Sequence, residues 1–559
     1  MEHGTTTRRA TEASGIQVSD TETADGSVLD TAPAAPAAGS RPERRVLGRH
    51  APSWWPLVAV LVVQAALSLR LVGADTAFED EATYLWAGHL EWASWLHGTA
   101  IPPFSAYFSG APVVYPPIGA LADSVGGLTA ARLLSLAFML GATALLWSTA
   151  RRLYGPRAAF FAAALFAVCG PTLHLGSFAT YDAMAVFLIA LAAWCVIGAG
   201  DSGDATGRMV AAGAVLALAN AAAYSSALFD PIVILLALLT GFPRPGGKVA
   251  GRRIATLLVV LVTLLLLGLL VGGSSYVGGF DRTTLLRVPG AASWLTVLRD
   301  SWSWTGIITV LAVCGIIISL VNRQGRVRTW LLVVLTVAAI LGPLEQARLH
   351  TAASLDKHVG LGAWFAAIAA GYAVDWFITA APAGRSRLLT IGACVLALAF
   401  PISLGASQSR AFATSWPNAT SFTAILGLLV RHDQGRLLVE DPTVAEYYLP
   451  AGSQWQRWSS TRNIVLPSGA STGGPSQKAG VVGPGNASTF ATYIRKGYFS
   501  LIALNFADTT SLDHSLATDI RHNPHYRKVQ VVPYGIEIPP IGQGTYVIWK
   551  YFPHIGKPT

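Results

Sequence analysis

Charged residues are scarce in this 559-residue sequence, and only 12% of the positions are Asp, Glu, Lys or Arg. Soluble globular proteins carry about 25%. With 52% hydrophobic residues and a mean hydropathy of +0.48, the composition excludes a soluble enzyme, a disordered protein and a nucleic-acid binder for the chain as a whole. It predicts a polytopic α-helical membrane protein whose net charge of +9 reflects its loops and not a nucleic-acid partner. The Ala, Gly and Arg content is typical of a high-GC bacterium.

Cysteines and nucleotide-binding motifs are also sparse. The four cysteines lie in apolar segments and form no CxxC pair, so neither a disulfide framework nor a thiolate metal site is indicated. The sequence contains no GxxxxGK(S/T) or HExxH pattern, which argues against a nucleotide-binding or soluble-hydrolase fold.

Long apolar runs are abundant, and a membrane span needs about 20 such residues. We predict about eleven spans, at 54–72, 128–150, 158–177, 181–199, 209–227, 230–243, 254–274, 304–321, 329–344, 358–378 and 388–405. Residues 1–50 are rich in Thr, Ala, Pro and Ser and are expected to be a disordered cytoplasmic N-terminus. We assign 51–405 to a transmembrane module with a long outer loop at 74–127.

The distribution of positive charge predicts the orientation. With the N-terminus inside, the predicted inner segments carry seventeen Lys and Arg residues, whereas the loop 74–127 has none and contains six acids. The positive-inside rule expects this asymmetry in a multi-pass protein of the bacterial plasma membrane. Eleven spans place residues 406–559 outside, whereas an even number would leave them in the cytoplasm.

The C-terminal region 406–559 is more polar than the preceding chain. Short β-rich runs at 436–440, 500–505, 528–532 and 545–551 alternate with helical patterns at 488–496 and 513–522. This alternation predicts a small extracytoplasmic α/β domain.

Three consecutive acids, Glu79, Asp80 and Glu81, open the outer loop. If the segment is helical, Asp80 and Tyr84 share one face at i, i+4. A half-desolvated carboxylate there could accept a proton from a hydroxyl or hold a divalent cation. The acids could equally form a solvated loop.

Two further charged residues lie at the outer ends of predicted spans. Asp182 begins the fourth span and is either functional or a helix-start residue favoured by the helix dipole. Arg132 opens the second span, where it could face a phosphate or extend to lipid headgroups.

A basic cluster separates the ninth and tenth predicted spans. Arg348, His350, Lys357 and His358 lie in a segment that we place outside, where they could bind a phosphate or lipid headgroups. Arg282, Arg287 and Arg299 are weaker companions between spans seven and eight.

Taken in order, these segments resemble the GT-C fold glycosyltransferases, in particular the bacterial relatives of protein O-mannosyltransferase and aminoarabinose transferase in the family 39/83 group. The resemblance covers about residues 55–400. The matching segments are Asp80-Glu81-x-x-Tyr84, Tyr115-Pro116-Pro117, 131–135, 152–155, Tyr181-Asp182 and 357–359 before Trp364-Phe365.

The resemblance implies a polyprenyl-phosphate monosaccharide donor and a hydroxyl acceptor on a protein, glycan or lipid at the outer membrane face. It also implies that Asp80 is the catalytic base and that Asp182 is the second acid. Glu79 departs from the family pattern by making a triple acid, so Glu81 stays a catalytic candidate beside Asp80.

From these residues we predict a single inverting displacement. Lys357, Arg348 and His358 would stabilise the leaving phosphate, and Tyr84, Arg132 and His350 would also contact substrate. A divalent cation bridging carboxylates and phosphate stays open.

Two other functions compete with this one. A transporter or flippase for lipid-linked sugars would place polar groups at the midplane, where Asn220 is the one obvious candidate, and would show inverted repeats. A membrane scaffold that displays the C-terminal domain would not need the acidic run.

Overall fold

The computed structural model describes residues 54–106, 108–200, 205–241, 247–287, 289–380, 384–466, 481–484, 486–534 and 544–553. The predicted disordered segment 1–50 lies outside these residues. The described chain is mostly helical and ends in a small sheet domain, which confirms the predicted fold class.

The membrane module consists of thirteen helices among the described residues. They are α1 (Trp55–Val72), α2 (Glu79–His97), α3 (Tyr115–Tyr154), α4 (Pro156–Ala167), α5 (Gly170–Leu175), α6 (Tyr181–Gly198), α7 (Ala205–Ala222), α8 (Asp230–Gly241), α9 (Gly247–Phe280), α10 (Trp294–Val321), α11 (Arg326–Arg348), α12 (Leu355–Ala380) and α13 (Arg385–Ala413). The core is formed mainly by α3, α4, α6, α10, α11 and α12, which bury runs of Ala, Leu and Val against one another.

Nine helical segments in the described ranges are long and apolar enough to cross a membrane, fewer than the eleven predicted spans. The predicted span 158–177 is divided between α4 and α5, because Gly170 and Pro171 follow a break after α4. The predicted span 388–405 lies within the longer α13, which contains Pro401.

A pair of glycines divides α3 into two parts. Gly126 and Gly127 leave helical geometry, and Gly127 has φ 64°, in the left-handed region that favours glycine. The predicted second span begins at residue 128, directly after this break. The preceding turns from Tyr115 onward pack on α2.

Helix α2 carries the acidic run and packs closely on α3. The Glu81 side chain accepts a hydrogen bond from the Phe78 backbone N–H, as in a capping box. A Cβ atom on Gly88 would lie 2.0 Å from the Pro116 carbonyl oxygen. Only glycine fits at this crossing, which fixes the position of α2 against the bundle.

The C-terminal domain is an α/β unit. Its elements are α14 (Thr420–Val430), β1 (Arg436–Val439), α15 (Thr443–Tyr448), β2 (Trp458–Ser459), β3 (Asn463–Leu466), β4 (Val481–Pro484), α16 (Ala487–Arg495), β5 (Phe499–Leu504), α17 (Thr510–His522), β6 (Tyr526–Pro533) and β7 (Thr545–Tyr551). The five-stranded sheet has the order β2-β1-β5-β7-β6, with β1 parallel to β2 and β5 and the other pairs antiparallel. Strands β3 and β4 form a separate antiparallel pair.

Aromatic hydrogen-bond donors connect this domain to the membrane module. Trp455 Nε1 donates to the Ala100 carbonyl oxygen at 2.9 Å, and the Tyr447 hydroxyl donates to Asp123 at 2.7 Å. In the opposite direction, Trp86 Nε1 donates to a backbone oxygen of the domain at 3.1 Å. These contacts hold α15 and the segment after it directly above α2.

Candidate active site

A cavity of about 1210 Å³ lies between the membrane module and the C-terminal domain. One side is formed by α2, α6 and α12 together with segments around 102–109 and 280–287. The other side is formed by residues between 440 and 463 and by Asp508. The site therefore uses both parts of the chain.

Three helices begin at this cavity and bring their first turns together. Asp80 lies in the first turn of α2, Asp182 in that of α6 and Lys357 in that of α12. Helix N-termini favour negative charge, so α2 and α6 each present a carboxylate where the backbone stabilises it. Asp182 can therefore be a helix-start residue and a functional residue at the same time.

Lys357 joins the two carboxylates. Its Nζ donates a hydrogen bond to Asp80 Oδ2 and lies 3.9 Å from Asp182 Oδ2. The Lys357 side chain is only 6% exposed, whereas that of Asp80 is 36% exposed. Asp80 is thus the member of this cluster that a substrate in the cavity reaches most easily.

Two tyrosines extend the cluster along α2 and α6. The rings of Tyr84 and Tyr181 lie 4.6 Å apart, and both line the cavity. Tyr84 is one turn after Asp80 on the same face, as the i, i+4 spacing predicts. Sequence reasoning used Tyr181 only as part of the family pattern and did not assign it a role.

The structure does not support the predicted roles of Glu81 and Arg132 in substrate chemistry. Both are buried, with 0% and 1% exposure. Arg132 donates hydrogen bonds to both Glu81 carboxylate oxygens, at 2.8 and 2.7 Å. Its remaining N–H groups donate to the backbone carbonyl oxygens of Val72, Asp75 and Thr76. With every donor occupied and no access to the cavity, this pair fixes the loop that precedes α2.

The predicted basic cluster is divided by the fold. Lys357 and His358 line the cavity, and His358 Nδ1 lies 2.7 Å from Gln346 Nε2. Arg348 is 61% exposed and pairs with Glu345 on its own helix, while His350 lies 3.1 Å from the Ala292 carbonyl oxygen. Neither Arg348 nor His350 lines the cavity, so the geometry does not support the predicted phosphate contacts.

Two of the weaker candidates are better placed. Arg282 and Arg287 line the cavity, as Lys357 and His358 do. They lie in and just after a five-residue π-helical turn that follows α9. We call these four cavity-lining residues the basic wall.

Acidic residues also line the cavity, and we call Glu79, Asp441, Glu446 and Asp508 the acidic wall; sequence reasoning singled out only Glu79. Glu79 of α2 faces Asp441, Asp508 and Arg462 of the C-terminal domain. Burial, together with the neighbouring Asp441 and Asp80 carboxylates, raises the pKa of Glu79 to about 7. The C-terminal domain was predicted without site residues, because its acids are separated along the chain and meet only after folding.

The residues of the cavity do not match a metal site. In the described part of the chain, no three His, Cys, Asp or Glu side chains are grouped as metal ligands. Lys357 occupies the place where Asp80 and Asp182 converge. The reaction proposed below therefore uses no divalent cation.

Comparisons with known proteins concern the fold of the chain. A family model described as dolichyl-phosphate-mannose-protein mannosyltransferase matches residues 116–271. No curated protein sequence matches the chain. The structure is similar to that of ArnT from Cupriavidus metallidurans bound to undecaprenyl phosphate, with a TM-score of 0.57 and 14% identity over 91% of this chain and 100% of that chain.

Two further solved structures show the same similarity. The Archaeoglobus fulgidus oligosaccharyltransferase has a TM-score of 0.54 at 13% identity, over 89% of this chain and 76% of that chain. The mycobacterial arabinofuranosyltransferase AftD has a TM-score of 0.55 at 15% identity, over 89% of this chain and 40% of that chain.

This chain has the GT-C fold. The matched proteins are GT-C glycosyltransferases, which confirms the predicted resemblance at the level of the fold. The GT-C fold is that of a multi-pass membrane protein, in agreement with the apolar helices described above.

Proposed function

We propose that this GT-C protein transfers a monosaccharide from a polyprenyl-phosphate donor to a hydroxyl acceptor, with inversion at the anomeric carbon. The observation that carries the proposal is the cluster of Asp80, Lys357 and Asp182 at the wall of a large cavity. A carboxylate and a cation at one point supply the two groups that such a transfer needs.

Asp80 is the base in this proposal. It takes the proton from the acceptor hydroxyl while that oxygen attacks the anomeric carbon from the side opposite the phosphate. The bond from the anomeric carbon to the phosphate oxygen breaks, and polyprenyl phosphate leaves with the electron pair. Since Asp80 is the most exposed member of the cluster, its carboxylate is the one positioned to meet an acceptor.

The basic wall stabilises the leaving group. Lys357, Arg282 and Arg287 all line the cavity, and positive charge there favours the developing phosphate charge. A donor phosphate that binds Lys357 also competes with Asp80 for its ammonium group. Donor binding would thus release the Asp80 carboxylate for proton transfer.

We further propose that the reaction takes place on the extracytoplasmic face. The cavity opens beside the loop 74–127, which has no Lys or Arg, whereas the segment 151–157 at the opposite end of α3 contains three arginines. This distribution supports a cytoplasmic N-terminus and an extracytoplasmic C-terminal domain.

The test is Asp80→Asn in the full-length protein reconstituted in nanodiscs. With polyprenyl-phosphate mannose or polyprenyl-phosphate arabinose and an envelope extract as acceptor, wild-type protein should release polyprenyl phosphate. The variant should lose at least about 100-fold of this rate, since a positioned base contributes 10²–10⁴-fold. Glu91→Gln, which changes a carboxylate of α2 outside the cavity, is the matched control. Full activity in Asp80→Asn would remove Asp80 from the base role.

A further inference from the structure

The acidic wall contains a carboxyl group without a partner. Glu446 lies on α15, is 8% exposed and lines the cavity. No residue in the described ranges gives its side chain a hydrogen bond or an ion pair. Burial raises the pKa of Glu446 well above its usual range, and nearby Asp441 adds to this effect.

A largely buried carboxyl group that finds no hydrogen-bond partner in the protein loses much of its hydration without compensation. Buried polar groups are therefore nearly always paired, and an exception needs an explanation. Another acid in the same domain shows the usual solution. Glu440 accepts hydrogen bonds from the consecutive backbone N–H groups of residues 505–509. The absence of any such partner at Glu446, which faces the cavity, points to a ligand that donates to it.

Three tryptophans lie in the same cavity lining as Glu446. Each indole N–H is bound to a backbone carbonyl oxygen, with Trp86 donating to Gly452, Trp455 to Ala100 and Trp458 to Ala451. The rings are held in fixed positions, and a ligand in the cavity meets aromatic carbon instead of an indole donor. This part of the cavity therefore combines rigid tryptophan rings with the carboxyl oxygens of Glu446.

We propose that this wall, formed by Trp86, Asp441, Glu446, Trp455 and Trp458, binds the acceptor and that the acceptor is a saccharide. Sugar hydroxyls would donate to the carboxyl groups, and the C–H faces of a sugar ring would pack on the tryptophan rings. The inference rests on the proposed transferase function and adds the substrate class of the acceptor.

The carboxyl oxygens of the wall favour a saccharide over a peptide. Glu79, Asp441, Glu446 and Asp508 face the cavity against Arg462. This wall offers mainly hydrogen-bond acceptors, so it suits a ligand with several donors in a small area. A sugar ring supplies several hydroxyl donors within one residue, whereas an extended peptide supplies one backbone N–H per residue.

The experiment measures binding by saturation-transfer difference NMR with the full-length protein in nanodiscs. The probes are methyl α-D-mannopyranoside, methyl α-D-galactopyranoside, methyl α-D-arabinofuranoside, the α-linked disaccharides of these sugars and a Ser/Thr-rich decapeptide. At least one saccharide should bind the wild-type protein. Glu446→Ala should weaken that binding about tenfold or more, as expected for the loss of a hydrogen bond to a carboxyl group.

Three controls separate the outcomes. Asp519→Asn alters an acid of α17 outside the cavity and should bind as wild type. Glu446→Gln retains the shape of the side chain and should show weakened binding even if Glu446→Ala fails to fold. Binding of undecaprenyl phosphate should be unchanged in Glu446→Gln, because the basic wall is intact.

Binding of the decapeptide alone, no saccharide binding by the wild type, or wild-type affinity in Glu446→Gln would each overturn the inference. The proposed function is judged separately by transfer in Asp80→Asn. Loss of transfer there together with unaltered saccharide binding in Glu446→Gln would leave the transferase standing and remove the saccharide wall.

Discussion

Lys357 is the residue whose surroundings most constrain the chemistry. Its side chain is almost fully buried, yet it faces two carboxylates from different helices, Asp80 and Asp182. A buried cation of this kind is held by its partners, and removing it leaves two acids facing each other. The same cation is the nearest one to the base in the proposed reaction.

Lys357→Met should therefore impair use of the donor. We expect undecaprenyl phosphate to bind at least about tenfold more weakly, since a charge-assisted contact to phosphate is lost. Binding can be measured by thermal shift of the protein in detergent at increasing lipid concentration. Lys248→Met, at an exposed position on α9, is the control and should bind like the wild type. An unchanged donor dependence in Lys357→Met would contradict the phosphate role.

The buried ion pair of Arg132 and Glu81 has a structural role. Arg132→Met should lower stability by about 3–5 kcal/mol, because it leaves the Glu81 carboxylate buried without its cation. The exposed pair of Arg348 and Glu345 provides the comparison, and Arg348→Gln should cost about 0–1 kcal/mol. The measurement is the Tm of each purified variant. Equal Tm values for the two variants would argue against this role.

The sequence singled out Asp80, Asp182 and Lys357 as charged residues at the edges of apolar runs. The resemblance to GT-C glycosyltransferases, and not the position alone, gave Asp80 and Asp182 their expected roles. The same argument could not distinguish Arg132, which has the same position relative to its span but finds Glu81 51 positions earlier in the chain. Whether a charged side chain contacts substrate or is neutralised by another side chain depends on its neighbours in the fold. The local sequence does not reveal these neighbours.

At the scale of elements, the crossing of α2 and α3 decides where the base lies. Gly88 allows the two helices to touch, so that the first turn of α2 reaches the cavity. Any side chain at this position would push α2 away from Pro116 and shift Asp80 with it.

Gly88→Ala should thus reduce transfer by at least about tenfold and lower the Tm, because displacements of about 1 Å at a catalytic group can cost about 100-fold in rate. Gly251→Ala is the matched control. A Cβ on Gly251 meets no atom within 4 Å, and alanine favours the α9 helix, so activity and Tm should be unchanged or slightly higher. Wild-type transfer in Gly88→Ala would show that the crossing tolerates more space than the geometry indicates.

Most elements were predictable because their apolar patterns are long. The strands β1, β5, β6 and β7 and the helices α16 and α17 fall close to the predicted runs. The two-residue β2, the β3–β4 pair and the short α15 were missed, since they are too short to show a period. The acidic wall was missed because its residues come from α2, α15 and separate loops and meet only after folding.

At the scale of the molecule, Glu79 lies between the membrane module and the C-terminal domain. Its pKa is raised to about 7, from an ordinary value of 4.5, by burial and by the nearby acids Asp441, Asp80 and Asp508, with Arg462 opposing them. The folded state thus favours the protonated carboxyl. The associated stability is fully present below about pH 4.5 and is lost as the pH rises through 7.

We therefore expect the Tm of the wild-type protein to fall between pH 5 and pH 8. Glu79→Gln should reduce this slope, because an amide remains uncharged throughout the range. A residual slope should remain from Asp513, whose pKa is also raised to about 7 by burial and by Glu440. Differential scanning fluorimetry across this pH range tests the expectation. Identical slopes in the two proteins would argue against Glu79 as the titrating group.

The two walls of the cavity belong to different parts of the chain. The cations that we propose face the donor come from the membrane module, whereas the tryptophan and acid surface comes largely from a separate sheet domain. Mutations in the loops of that domain could therefore change the acceptor without altering the residues proposed to bind the isoprenoid lipid. Exchanging residues 440–463 between related enzymes would be a direct way to retarget such a transferase while retaining its sugar source.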